Sequence, residues 1–136
     1  MCIASIFSVR GEIVMTSLQA ASKDENHHPI DIVEQLAEFN EWSFDRRSDE
    51  EMAVQVPGSW CDYSLHFAWN SHMEAIHFTC AFDIRVTENK KARVHELLAL
   101  INEKLWLGHF IIWSDEGLLM FRATLALRGQ HGMAAE

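Results

Sequence analysis

Hydrophobic and polar positions follow two periods along this chain, and each change of period marks a boundary. From about Pro29 to Glu41, the apolar residues Ile32, Val33, Leu36 and Phe39 recur at spacings of three and four. That spacing predicts a helix with one buried stripe. Pro29 suits an early helical position, where its missing N–H is not needed, and Asp31 and Glu34 complement the helix dipole. The period then shortens to two. Trp42-Ser43-Phe44 opens a short strand, Ser48 to Glu51 make a polar turn, and Met52, Val54 and Val56 alternate with Ala53 and Gln55. Pro57-Gly58 ends that strand. The clearest alternation lies between Asp62 and Trp69, where Tyr63, Leu65, Phe67 and Trp69 share one face. It resumes after Asn70-Ser71-His72 with Ile76, Phe78, Cys80, Phe82 and Ile84 on one face and His77, Thr79, Asp83 and Arg85 on the other. One buried and one polar face is the signature of an antiparallel sheet covered on a single side.

Thr87 is a plausible N-cap for a second helix, in which Val94, Leu97, Leu98, Ile101 and Leu105 keep helical spacing. That stripe is wide enough to lie across the sheet. Phe110 to Trp113 and Leu118 to Leu127, joined by the turn Ser114 to Gly117, form a closing hairpin. The pattern therefore predicts an α+β fold. An antiparallel sheet of about five strands is packed by helices on one face, in the order helix, three or four strands, helix, two strands. One domain is expected over 27–128, preceded by a disordered lead-in (1–26) and followed by a short tail (129–136).

Composition narrows the function classes. A chain of 136 residues with 49% hydrophobic content holds one core. Its net charge of −9 is uneven: residues 1–70 carry −8 and residues 71–136 carry −1. Phosphate neutralisation needs clustered Lys and Arg. The only basic run, Lys90-Lys91-x-Arg93, is flanked by Glu88 and Glu96, which argues against nucleic acid and against an anionic membrane surface. Three cysteines (Cys2, Cys61 and Cys80) in no Cys-x-x-Cys arrangement read as reduced thiols of a cytoplasmic protein. The apolar run at the N-terminus lacks a preceding positive charge and is interrupted by Arg10 and Glu12, so a signal peptide is not expected.

Two segments carry a resemblance. NEKLWLGHFIIWSDEGLLMFRATLAL, from Asn102 to Leu127, closes a helix, stops it at Gly108 and enters a strand at once. With EMAVQVPGSWCDYSLHFAWNSHMEAIHFTCAFDIRV upstream, it resembles the YbjN family, bacterial sensory transduction regulators. The shared pattern is Gly58-x-Trp60 before a strand, the junction from Asn102 to Phe110, and Arg122 in the last strand, within a match over roughly Ile32 to Arg128. The resemblance implies a fold like that of type III secretion chaperones and a regulatory role, and it names no reaction. Family members usually continue into a further helix, which 129–136 is too short to supply. The apolar surface such a helix would cover implies a homodimer or a domain-swapped assembly.

Candidate chemistry is sparse. His66 and His77 fall on neighbouring strands and polar faces, but a zinc site needs three or four ligands and no further ligand joins them, so neither metal nor cofactor is expected. Cys61 beside Asp62 and Cys80 in an apolar run both have environments that disfavour thiolate, and no nucleophile elbow, phosphate loop or zinc-protease motif occurs. No enzyme is expected. The leading reading is a non-enzymatic interaction or regulatory module with an unidentified protein partner. Of the five tryptophans, Trp42 and Trp106 read as core, whereas Trp60 and Trp113 at strand edges are candidate partner anchors. The eight acids between Asp31 and Glu51 could steer a basic partner. The alternative is a small-molecule sensor whose pocket lies between sheet and helices, with Tyr63, His66 and Arg122 supplying its polar contacts.

Overall fold

The computed structural model describes residues 28–127, so the expected lead-in and tail lie outside the described residues. The chain runs α1 (Pro29–Phe39), β1 (Ser43–Arg46), β2 (Glu51–Val56), β3 (Tyr63–Asn70), β4 (Ala75–Arg85), a 3₁₀ turn (Glu88–Lys90), α2 (Lys91–Asn102), β5 (His109–Trp113) and β6 (Leu118–Ala126). Six strands form one antiparallel sheet in the order β1-β2-β3-β4-β6-β5. The fold is α+β as expected, and the short strand opened by Trp42-Ser43-Phe44 brings the sheet to six strands.

Register explains the core. Tyr63 faces Phe82, Leu65 faces Cys80, Phe67 faces Phe78 and Trp69 faces Ile76, so the two alternating runs put their apolar sets on the same side. β2 adds Met52, Val54 and Val56 to that side, opposite Phe67, Leu65 and Tyr63. α1 closes it over β1 to β3 with Ile30, Ile32, Val33 and Ala37. Phe39, counted in the stripe from spacing, is exposed instead, because the buried line runs through Ile30, Val33 and Ala37. Ile84 is also exposed, since the pairing of β4 with β6 shifts between Ala81 and Arg85 and breaks the alternation.

Both ends of α1 are set by local chemistry. His28 is its N-cap: its Nδ1 accepts from the Ile30 N–H at 3.3 Å, and its ring meets Trp69 edge-on. At the other end the Glu41 N–H bonds to the Glu38 carbonyl and the Trp42 N–H to the Ala37 carbonyl, with Glu41 at φ 58°. This is a Schellman closure, and it stops the helix two residues before the expected end. Arg46 then ties β1 to the helix, pairing with Asp31 at 2.7 Å and with Glu34. Those two carboxylates raise the Arg46 pKa and are engaged within the chain rather than available to steer a partner.

α2 departs most from expectation. It lies against the edge strand β5 rather than across the sheet, and of its apolar stripe only Leu98 is buried. Near that end the sheet fills its own face with rings: Phe110 stacks on Phe82 and meets Phe121 edge-on at 5.1 Å. Thr87 caps the 3₁₀ turn that leads into α2, and its hydroxyl donates to the Asn89 side chain rather than capping a backbone N–H.

Candidate functional site

The junction between α2 and β5 positions the first candidate surface. The Asn102 side chain accepts from the Phe110 N–H at 2.7 Å and donates to the Phe110 carbonyl at 3.0 Å. It thereby occupies edge-strand groups that a foreign strand could otherwise use. Gly108 makes the turn possible. Its φ is +76°, and a Cβ there would sit 2.4 Å from the Phe121 ring and 2.8 Å from the Arg122 carbonyl. With α2 anchored in this way, its outer side and the following loop remain in solvent. Leu97 is 54% exposed, Leu100 58%, Leu107 68% and Trp106 99%. Trp106, expected in the core, lies beyond the end of α2, where helical spacing no longer governs its direction.

A second cluster occupies the sheet face opposite α1. Register places His66, Thr79, Arg122 and His109 in one cross-strand row, because His66 pairs with Thr79, Thr79 with Arg122, and Arg122 with His109. The adjacent row holds His77 opposite Thr124. Arg122 donates from Nε and Nη2 to His77 Nε2, at 3.4 and 3.2 Å. Since a guanidinium only donates, Nε2 is the accepting nitrogen and the ring proton sits on Nδ1, 2.9 Å from the Thr124 hydroxyl. Burial lowers the His77 pKa, and Arg122, His66 and His109 lower it further. Glu51 lies 4.0 Å from His66, and the row continues from His66 through Ala53 to Asp45. Among the described residues Arg122 has no acidic partner, and no group of three or more His, Cys, Asp or Glu is arranged to hold a metal.

The row contains the family pattern's arginine, Arg122, and the junction is its helix-to-strand element. The family model for YbjN, described as a putative bacterial sensory transduction regulator, matches residues 29–136. The chain belongs to the YbjN family. No curated protein and no solved structure matches it. Three features of the YbjN pattern have visible structural work. Asn102 and Gly108 hold the junction as described. At Gly58 the backbone passes so close to Tyr63 and Cys61 that a Cβ would lie 2.3 Å from the ring and 2.3 Å from the Cys61 carbonyl. Trp60, two residues on, is 76% exposed, and Trp113 at the end of β5 is 47% exposed.

The three residues expected to share a pocket are divided by the sheet. Tyr63 is buried on the α1 side, edge-on to Phe82, and burial raises its pKa. His66 and Arg122 lie on the opposite face. Between α1 and the sheet, the cavity bounded by Val33, Leu36, Ala37, Trp42, Val54, Leu65 and Phe67 measures about 10 Å³, room for about one water. His77 and His109, which complete the open-face cluster, were not paired with Arg122 from sequence. One signal was available. Both strands of the last hairpin are apolar at consecutive positions, Ile111 to Trp113 and Leu118 to Phe121, where a one-sided sheet should alternate. Among the described residues no helix is long and apolar enough to cross a membrane.

Proposed function

We propose that this YbjN-family chain is a non-enzymatic regulatory module of the bacterial cytoplasm that works by protein contact through α2, first with a second copy of itself. The observation that carries the reading is the run of Leu97, Leu100, Trp106 and Leu107, all more than half exposed on one helix and its following loop. Apolar residues grouped in this way mark interaction surfaces, and Trp is the commonest anchor among them. Their burial is worth roughly 6–8 kcal/mol gross per copy. Association costs about 4–15 kcal/mol in lost freedom. A two-fold contact uses the patch twice, so the net favours a dimer of roughly micromolar affinity.

Chaperone-like holding of a client segment is the finer part of this reading. It draws on the chaperone-like fold that the YbjN resemblance implies. Asn102 already occupies the Phe110 backbone, which favours side-chain docking over strand addition at that point of the edge. Trp60 and Trp113 are proposed as further contact residues. Multi-angle light scattering over a concentration series tests the dimer. The mass should rise from 15.6 kDa towards twice that value, and an L100S/L107S variant of equal thermal stability should stay at the lower mass. A wild-type chain that remains monomeric throughout would remove this reading.

A further inference from the structure

We propose that the sheet face opposite α1 carries a binding site for a small amphipathic organic acid, its acid group seated between Arg122 and His109 and its apolar body lying along Ile111 and Met120 towards Trp113. The inference is independent of the α2 surface. It begins with an unusual cation. The chain holds 20 acidic residues against 11 basic ones, yet among the described residues Arg122 pairs with none of the acids. Its partner is instead a neutral imidazole, His77, held in turn by Thr124. Those contacts take the Nε–H and one Nη2–H, fixing the plane of the guanidinium. Three N–H donors remain, and a guanidinium fork fits an oxyanion better than any other partner.

The neighbours sharpen the class of ligand. His109 faces Arg122 directly across β5 and β6, about 5 Å away through the backbone. His66 lies two strands along the same row. Grouping three imidazoles around one guanidinium repels further positive charge, in line with the lowered pKa of His77. An anion relieves that repulsion. The next row on the same face pairs Ile111 with Met120, and the one beyond pairs Trp113 with Leu118. Rows are spaced roughly 7 Å apart, since each is two residues along a strand. These side chains therefore offer an apolar track of about 14 Å starting at the cationic row. A bare inorganic anion would leave that track unused. A metal would need ligands that the cluster lacks.

The test uses the full chain, with octanoate and acetate as probes and the Arg122 Nε and histidine ring nitrogens observed by NMR. Octanoate should shift the Arg122 and His109 resonances at concentrations at least about tenfold below those acetate requires, because six extra methylenes add apolar burial. R122Q should lose about tenfold or more in affinity. H109Q, at an exposed edge position, should weaken binding severalfold and serves if R122Q does not fold. Octanoate shifts confined to α2, no shift at Arg122, or unchanged affinity in a folded R122Q or H109Q would overturn the proposal. Equal affinity for acetate and octanoate would overturn the apolar track.

Discussion

Replacing Gly108 with alanine should be among the most damaging single changes available to this domain. The backbone at Gly108 has φ +76°, a region in which an L side chain costs about 1–2 kcal/mol. The new Cβ would also meet the Phe121 ring at 2.4 Å and the Arg122 carbonyl at 2.8 Å. The ring cannot swing freely, since it packs on Phe110 and Phe78, and the carbonyl belongs to a paired strand. Overpacking of this kind costs about 1–3 kcal/mol. Stiffening of the unfolded chain returns about 0.4–1 kcal/mol, which leaves a net loss of about 2–4 kcal/mol. In a domain of this size that lowers the melting temperature by roughly 10–30 °C. Urea unfolding followed by tryptophan fluorescence should show a lower midpoint with an unchanged slope. Gly108→Asn separates the two contributions: asparagine tolerates the dihedral but keeps the Cβ, so it should be nearly as harmful as alanine. A loss below about 0.5 kcal/mol in Gly108→Ala would refute the reasoning, because strain and overpacking together predict several times that.

Three further predictions follow from other parts of the fold. Glu41→Gly should stabilise the protein by roughly 0.5–1 kcal/mol in the same urea assay, since Glu41 occupies the Schellman position at φ 58° and glycine relieves that conformation; a destabilised variant would contradict the closure. Burial, reinforced by nearby Cys61, pushes the Cys80 thiol up to about 12, so at pH 8 Cys80 should escape a thiol reagent until the chain unfolds, and rapid labelling of the native protein would count against its position in the core. The pH dependence of stability should carry a His77 contribution. The folded state lowers the His77 pKa from 6.5, so the unfolded chain binds more protons and stability falls as pH drops through and below 6.5, with no change above it. His77→Gln should flatten that part of the profile, and an identical profile in the variant would show that His77 is not its source.

The sheet was legible because its information is local. Tyr63 to Trp69 and Ile76 to Phe82 alternate cleanly, and the register that joins them places both apolar sets on one side without further help. Helix boundaries were harder. α1 ends through a Schellman closure that uses Glu41 in place of glycine, so no residue type announced it. α2 misled for a different reason. Its spacing correctly marks an apolar stripe, but periodicity does not say what covers the stripe, and here Leu98 is covered while Leu97 and Leu100 are not. Trp106 was read by residue type alone, and its place past the helix end decides its exposure. The cluster around Arg122 is a product of register. His66, His77, His109 and Arg122 come from four strands, and only the pairing order β3-β4-β6-β5 brings them together. Tyr63 differs from His66 by an odd number of positions on one strand, and that places them on opposite faces.

The docking role of α2 is tested most directly by a photo-reactive side chain placed at Leu100 in the full-length protein, irradiated at micromolar concentration and in cells. The account predicts an adduct at twice the 15.6 kDa chain mass whose crosslink maps to α2 or Trp106 of the second copy, with none from a control probe at the exposed turn residue Ser71. Equal adducts from both positions, or no protein adduct from Leu100, would contradict it.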